Sequence, residues 1–122
     1  MQKLGSKNNM SRPTVYIISR SAHDFSDAER FGKLVFLSEG PMNRYSCNNM
    51  CREFMVHLRH SSPEDYILLT GLSVMNSIAC ALFASLHRKL NLLLFQQGKY
   101  IERRLDLTME GGDKDQLSYS GE

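Results

Sequence analysis

The sequence has no hydrophobic run long enough to cross a bilayer. Its most apolar stretch, Leu72 to Leu86, is about 15 residues long and is interrupted by Ser73, Asn76, Ser77 and Ser85. A spanning helix takes about 20 predominantly apolar residues, so a buried helix is expected there and no membrane contact. Cysteine is scarce, at Cys47, Cys51 and Cys80. A secreted disulfide scaffold uses more of them, in even number, so reduced thiols and a cytoplasmic setting are expected. Met1 to Arg12 is polar and basic without an apolar core, and does not read as a secretory signal. Charge of one sign is missing too: 15 Lys and Arg face 13 Asp and Glu, a net +2. That balance excludes a strongly basic polyelectrolyte binder and an acidic solvating chain. Arg103 and Arg104 point to opposite faces of a strand, and Arg88 and Lys89 answer a helix dipole, so nucleic acid is not an expected partner. Neither G-x-x-x-x-G-K-[ST] nor G-x-G-x-x-G occurs, which disfavours a Walker-type NTPase and a standard dinucleotide binder.

What is present suits one domain. The chain has 122 residues, 42% of them hydrophobic, enough for a single core and too short for two ordinary ones. Residues 1–12 carry Lys3, Lys7 and Arg12, and residues 109–122 carry Glu110, Asp113, Asp115 and Glu122 against Lys114. Both lack periodic apolar content, so a mobile basic tail, a domain over 13–108 and a mobile acidic tail are expected.

Within 13–108, short strand and helix patterns alternate. Thr14 to Ile18 is β-branched and aromatic, and reads as a strand. Ser26-x-x-Glu29 has the form of a capping box, and Gly32 ends the short helix it would start. Lys33 to Leu37 is a second strand. Cys47, Met50, Cys51, Phe54, Met55 and Leu58 recur at helical spacing and predict an amphipathic helix. Tyr66 to Leu69 is continuously apolar, as for a strand covered on both faces. Gly71 turns the chain into a helix capped by Ser73 and running to about Lys89, apolar nearly all round. Asn91 to Phe95 is a fourth strand, and Gln97-Gly98 turns it into a fifth, Tyr100 to Leu107, with Ile101, Arg103, Leu105 and Leu107 alternating against Tyr100, Glu102, Arg104 and Asp106.

The expected fold class is therefore α/β: a small three-layer Rossmann-like or flavodoxin-like domain with four mainly parallel strands, an antiparallel C-terminal edge strand and helices on both faces. The expected strand order is 2-1-3-4-5. Ligands of such sheets bind beyond the carboxyl ends of the strands where the winding reverses. The expected anion or nucleotide site comprises Arg20, Thr70, Gly71, Ser73 and Asn76, where a helix N-terminus suits a phosphate and Arg20 adds a bidentate contact.

Other chemistry is weaker. His23 and Asp24 are adjacent in a strand-end loop, where a carboxylate can orient a general acid or base; such a pair is more often exposed loop or helix-entry chemistry. Gly71-Leu72-Ser73-Val74-Met75 approaches a nucleophile elbow, but Met75 stands where a small residue belongs, and His87 lies roughly 20 Å away along the same helix. Cys47, Cys51, His57 and His60 do not converge as four zinc ligands, so no metal is expected. No cofactor is expected either. The apolar helix at 73–89 and the strand bearing Leu105 and Leu107 point to a homo-oligomer or a partner protein.

Asp65 to Ser73, the helix after it, Asn91 to Phe95 and Lys99 to Arg103 resemble small uncharacterised Rossmann-like α/β proteins of phage or mobile-element origin. The resemblance implies a phage accessory protein rather than a metabolic enzyme, and assigns no residue roles. The first expectation is a small, self-associating interaction protein; the alternative is a nucleotide- or phosphate-binding domain with weak hydrolase or transferase activity.

Overall fold

The five strands form one sheet in the order β2-β1-β3-β4-β5 in the computed structural model, which describes residues 12–20, 23–39 and 46–108. The strands are β1 (Thr14–Ser19), β2 (Lys33–Ser38), β3 (Tyr66–Leu68), β4 (Lys89–Gln96) and β5 (Lys99–Asp106). β1 pairs in parallel with β2 and β3, β3 with β4 in parallel, and β4 with β5 in antiparallel register. Two α-helices, α1 (Cys47–Leu58) and α2 (Ser73–His87), and a 3-10 helix (Ser26–Arg30) connect them. The expected order, the parallel pairings and the antiparallel edge are all present. The tails expected at 1–12 and 109–122 lie outside the described residues, Arg12 and its contact with the Glu29 carbonyl excepted.

Side-chain alternation along the strands divides the core in two. Tyr16, Ile18, Leu37 and Ile67 pack with Met50, Phe54 and Leu58 of α1 and Met75, Ala79 and Phe83 of α2. Val15, Ile17, Tyr66, Leu68, Leu93 and Tyr100 pack on the other face with Phe25 and Ala28. Both α-helices thus lie on one face, and the opposite face is covered by the short helix expected after Ser26, here a 3-10 turn, and by its flanks. The segment 26–30 is too short for more than one tight turn.

Local expectations needed correction at several points. Ser26 makes no side-chain cap; Asp24 Oδ1 accepts the Ser26 N–H at 2.9 Å and starts the turn instead. Ser73 likewise makes no cap bond, because the residue ahead of the helix is Leu72. α2 stops at His87, and Lys89 and Leu90 belong to β4. Arg88, at φ 58, takes the left-handed conformation that ends the helix. The apolar surface of α2 is mostly used within the chain: Ile78, Cys80 and Leu82 pack against the core, leaving Val74 and Leu86 exposed. Cys47 is exposed, so the buried stripe of α1 is Met50, Phe54 and Leu58. On β5 the expected apolar face is the opener one: Leu105 is 45% exposed while Tyr100 on the other side is 4% exposed.

Two glycines have steric reasons. A Cβ on Gly32 would stand 2.1 Å from the Pro13 carbonyl oxygen, and that oxygen is held in place by the Lys33 N–H at 2.9 Å. Gln97 and Gly98 both have positive φ, at 52 and 86, as the two-residue type I′ hairpin turn requires.

A polar network ties the amino ends of the strands. Buried Asp65 accepts the N–H groups of Thr14 at 2.9 Å and Ser62 at 2.8 Å. Fully buried Asn91 donates to the carbonyls of Pro63 and Asp65 at 2.7 and 2.8 Å. Each bond matters because a buried polar group left without a partner costs about 1–3 kcal/mol.

Candidate functional site

The connection after β1 leads to the 3-10 helix on one face, and the connection after β3 leads to α2 on the other. The carboxyl ends of these neighbouring strands therefore diverge, and a cleft opens beside them. Its volume is about 700 Å³, within the roughly 300–1,000 Å³ of small-molecule sites.

Ser19, Leu68, Leu69 and Leu94 form the strand-end part of the lining, with Thr70, Gly71 and Leu72 from the β3–α2 turn. The rest is aromatic: His23, Phe25, Phe95 and Tyr100. These rings stack edge to face or tilted, with centroid distances of 5.0 Å for His23–Phe25, 6.2 Å for His23–Phe95 and 5.0 Å for Phe95–Tyr100. Phe95 is 52% exposed. The Tyr100 phenol is pushed up by burial first and by the charges of Asp27 and Asp24 next, so it is a neutral donor at physiological pH. The lining contains no Lys, Arg, Asp or Glu.

The β3–α2 turn is fastened by Asn76, one turn into the helix. Its Oδ1 accepts the Thr70 N–H at 3.2 Å and its Nδ2 donates to the Thr70 carbonyl at 2.7 Å. The Thr70 hydroxyl oxygen accepts the Leu72 N–H at 3.3 Å. Two backbone donors at this helix mouth are thereby committed to side chains rather than open to an anion.

The structure brings Thr70 and Gly71 to the cleft together with Ser19 and His23, and Asn76 supports them from behind. Ser73 is exposed outside the lining. Arg20 is turned to the far side of β1. Its Nε donates to Glu39 at 3.1 Å, and its guanidinium lies 4.0 Å over the Phe36 ring. The exposed ion pair contributes about 0–1 kcal/mol and the ring contact about 0.5–1 kcal/mol. Moving Arg20 to the helix mouth would forfeit both. Arg20, His23 and Asp24 instead share a smaller, shallower hollow with Ser26, Glu29 and Phe36. The Asp24 carboxyl is held below its usual range chiefly by the Ser26 N–H, which marks it as a turn-forming acceptor.

Sequence reasoning missed the aromatic wall. The signal was present, since a two-residue turn at Gln97-Gly98 places Phe95 directly opposite Tyr100. His87 lies at the other end of α2, where its Nε2 is 2.7 Å from Ser61 Oγ. Among the described residues no group of three or more His, Cys, Asp or Glu side chains is placed to hold a metal, and no helix is long and apolar enough to cross a membrane.

The chain belongs to the family of phage Pam3 gp32-like proteins, whose pattern it matches over residues 13–107. The phage connection expected from the sequence is therefore met. No curated protein and no solved structure matches it.

Proposed function

We propose that this member of the phage Pam3 gp32-like family is a small accessory protein that binds a flat, uncharged ligand of nucleobase or nucleoside type in the strand-end cleft, without transforming it. The observation that carries the reading is the lining: an aromatic wall of Phe25, Phe95 and Tyr100 with His23, and no charged carboxylate or ammonium group. An apolar, ring-lined slot favours a planar π-system. Ser19 and Thr70 add hydroxyls to read its polar edge. The strand order and the cleft at the diverging carboxyl ends support a Rossmann-like, flavodoxin-like view of the domain. The phosphate-centred alternative loses support because Arg20 is engaged with Glu39 on the far side of β1.

Isothermal titration and thermal shift against bases, nucleosides and nucleotides test this, since a ligand binding only the folded state raises its melting temperature. Bases and nucleosides should bind, phosphates should add nothing, and Phe95→Ala should weaken binding about 5- to 100-fold, the range for one lost stacking partner. Binding that needs the phosphate, survives Phe95→Ala unchanged, or is absent across the panel would overturn the proposal.

A further inference from the structure

We infer that the outer edge of β5 is a self-pairing surface, and that two copies of this chain join antiparallel, β5 to β5, about a two-fold axis at Arg103. β5 is the longer edge strand, eight residues against six in β2. The Gln97-Gly98 turn makes Gln96 and Lys99 a hydrogen-bonded pair. Alternation then aims the backbone N–H and C=O groups of Ile101, Arg103 and Leu105 at β4, and those of Tyr100, Glu102, Arg104 and Asp106 outward. Contacts agree: the outward carbonyls of Glu102 and Tyr100 receive the guanidinium groups of Arg103 at 2.9 Å and Arg30 at 3.5 Å.

Register follows from charge. With the axis at Arg103, Glu102 faces the second copy's Arg104 as a hydrogen-bonded pair, and Arg104 faces its Glu102. On the helix-bearing side Ile101 meets Leu105, covering a leucine that is 45% exposed. Shifting the axis to Glu102 sets Glu102 against itself; shifting it to Arg104 sets Arg104 against itself and Glu102 against Asp106. Like charges directly opposite are destabilising, so one register is favoured. The cost is Arg103 beside its own copy, relieved by the length and exposure of that side chain, and the release of two side-chain caps in exchange for a ladder of backbone bonds. Within one copy Glu102 already pairs with Arg104, and both reach the Tyr66 hydroxyl, so the same four groups can re-pair across the axis.

Light scattering and sedimentation on the full chain over a concentration series test this. Wild type should be dimeric at high concentration. Glu102→Arg and Arg104→Glu should each be monomeric. Mixed in equal amounts, the two variants should form a one-to-one heterodimer, because both 102–104 pairs across the axis are then opposite in sign. If either single variant fails to fold, the double variant Glu102→Arg/Arg104→Glu decides: a dimer supports the pairing and a monomer overturns it. A monomeric wild type, a dimer indifferent to both swaps, or monomeric variants that do not rescue each other would also overturn it.

Discussion

Asn76 grips both backbone groups of Thr70, accepting its N–H at 3.2 Å and donating to its carbonyl at 2.7 Å. The pair joins the end of β3 to the first turn of α2 and so fixes one wall of the cleft. Removing the carboxamide leaves two half-buried backbone groups without partners, each worth about 1–3 kcal/mol when desolvated and less when water can enter. Asn76→Ala should therefore destabilise the fold by about 1–3 kcal/mol in urea denaturation. Ser73→Ala, which removes a hydroxyl with no cap bond, should change it by less than about 0.5 kcal/mol. Equal effects would show that the turn does not depend on Asn76.

The two glycines near strand ends should respond differently to the same methyl group. Gly71→Ala meets nothing within 4 Å and should leave stability unchanged or raise it by about 0.5 kcal/mol by restricting the unfolded chain. Gly32→Ala drives a Cβ into the Pro13 carbonyl, which cannot retreat without losing its bond to the Lys33 N–H. A loss of at least about 2 kcal/mol is expected. Denaturation midpoints of the two variants check this directly.

The lower end of α2 should make stability fall in mild acid. His87 is packed 4.6 Å from the Phe83 ring, and burial holds its pKa below 6.5 against the opposing pull of Asp65. Ser61 Oγ donates to the Leu58 carbonyl at 2.6 Å, so it accepts from His87 Nε2–H, which selects one neutral tautomer. The unfolded chain binds the proton first as pH falls. The contribution of His87 is therefore complete above about pH 6.5 and declines as pH drops through its lower folded value. Melting curves should show this decline in wild type and a flatter profile in His87→Gln. Identical profiles would remove His87 as the cause.

Much of the scaffold was legible because its signals are repetitive. α1 spans Cys47–Leu58 because Met50, Phe54 and Leu58 recur on one face. The parallel strands showed as short apolar runs divided by helical segments, and the Gln97-Gly98 turn announced the antiparallel edge. Helix starts were misread because Ser26 and Ser73 have the right side chain but are already the first helical residues, with Phe25 and Leu72 standing at the positions ahead of them. Arg20 was misplaced for a different reason. Its direction is decided by Glu39 and Phe36 on β2 and its exit, a choice between two sides of a strand that local spacing does not encode. The cleft opens at the end of the sheet where a site was expected and takes in Thr70 and Gly71, and its rings bring together His23 and Phe25 with Phe95 and Tyr100, which are distant in sequence.

Alkaline pH should expose a second titration, at Tyr16. This residue is 4% exposed, and burial together with the nearby Asp65 charge raises its pKa from 10.0 to about 12. Here the unfolded chain loses its proton first as pH rises. The contribution of the neutral phenol is whole below about pH 10 and is lost as pH climbs towards 12. Between those values its share of the stability slope approaches about 1.4 kcal/mol per pH unit, the limit for one proton. The informative quantity is the difference between wild type and Tyr16→Phe in denaturation at matched pH, which cancels every contribution the two share. That difference should grow more negative for wild type as pH rises; a constant difference would mean that Tyr16 ionises alike in both states. Asp65→Asn separates the causes. It removes the carboxylate charge while burial, the larger cause, remains, so Tyr16 should ionise at lower pH than in wild type but still above its ordinary value.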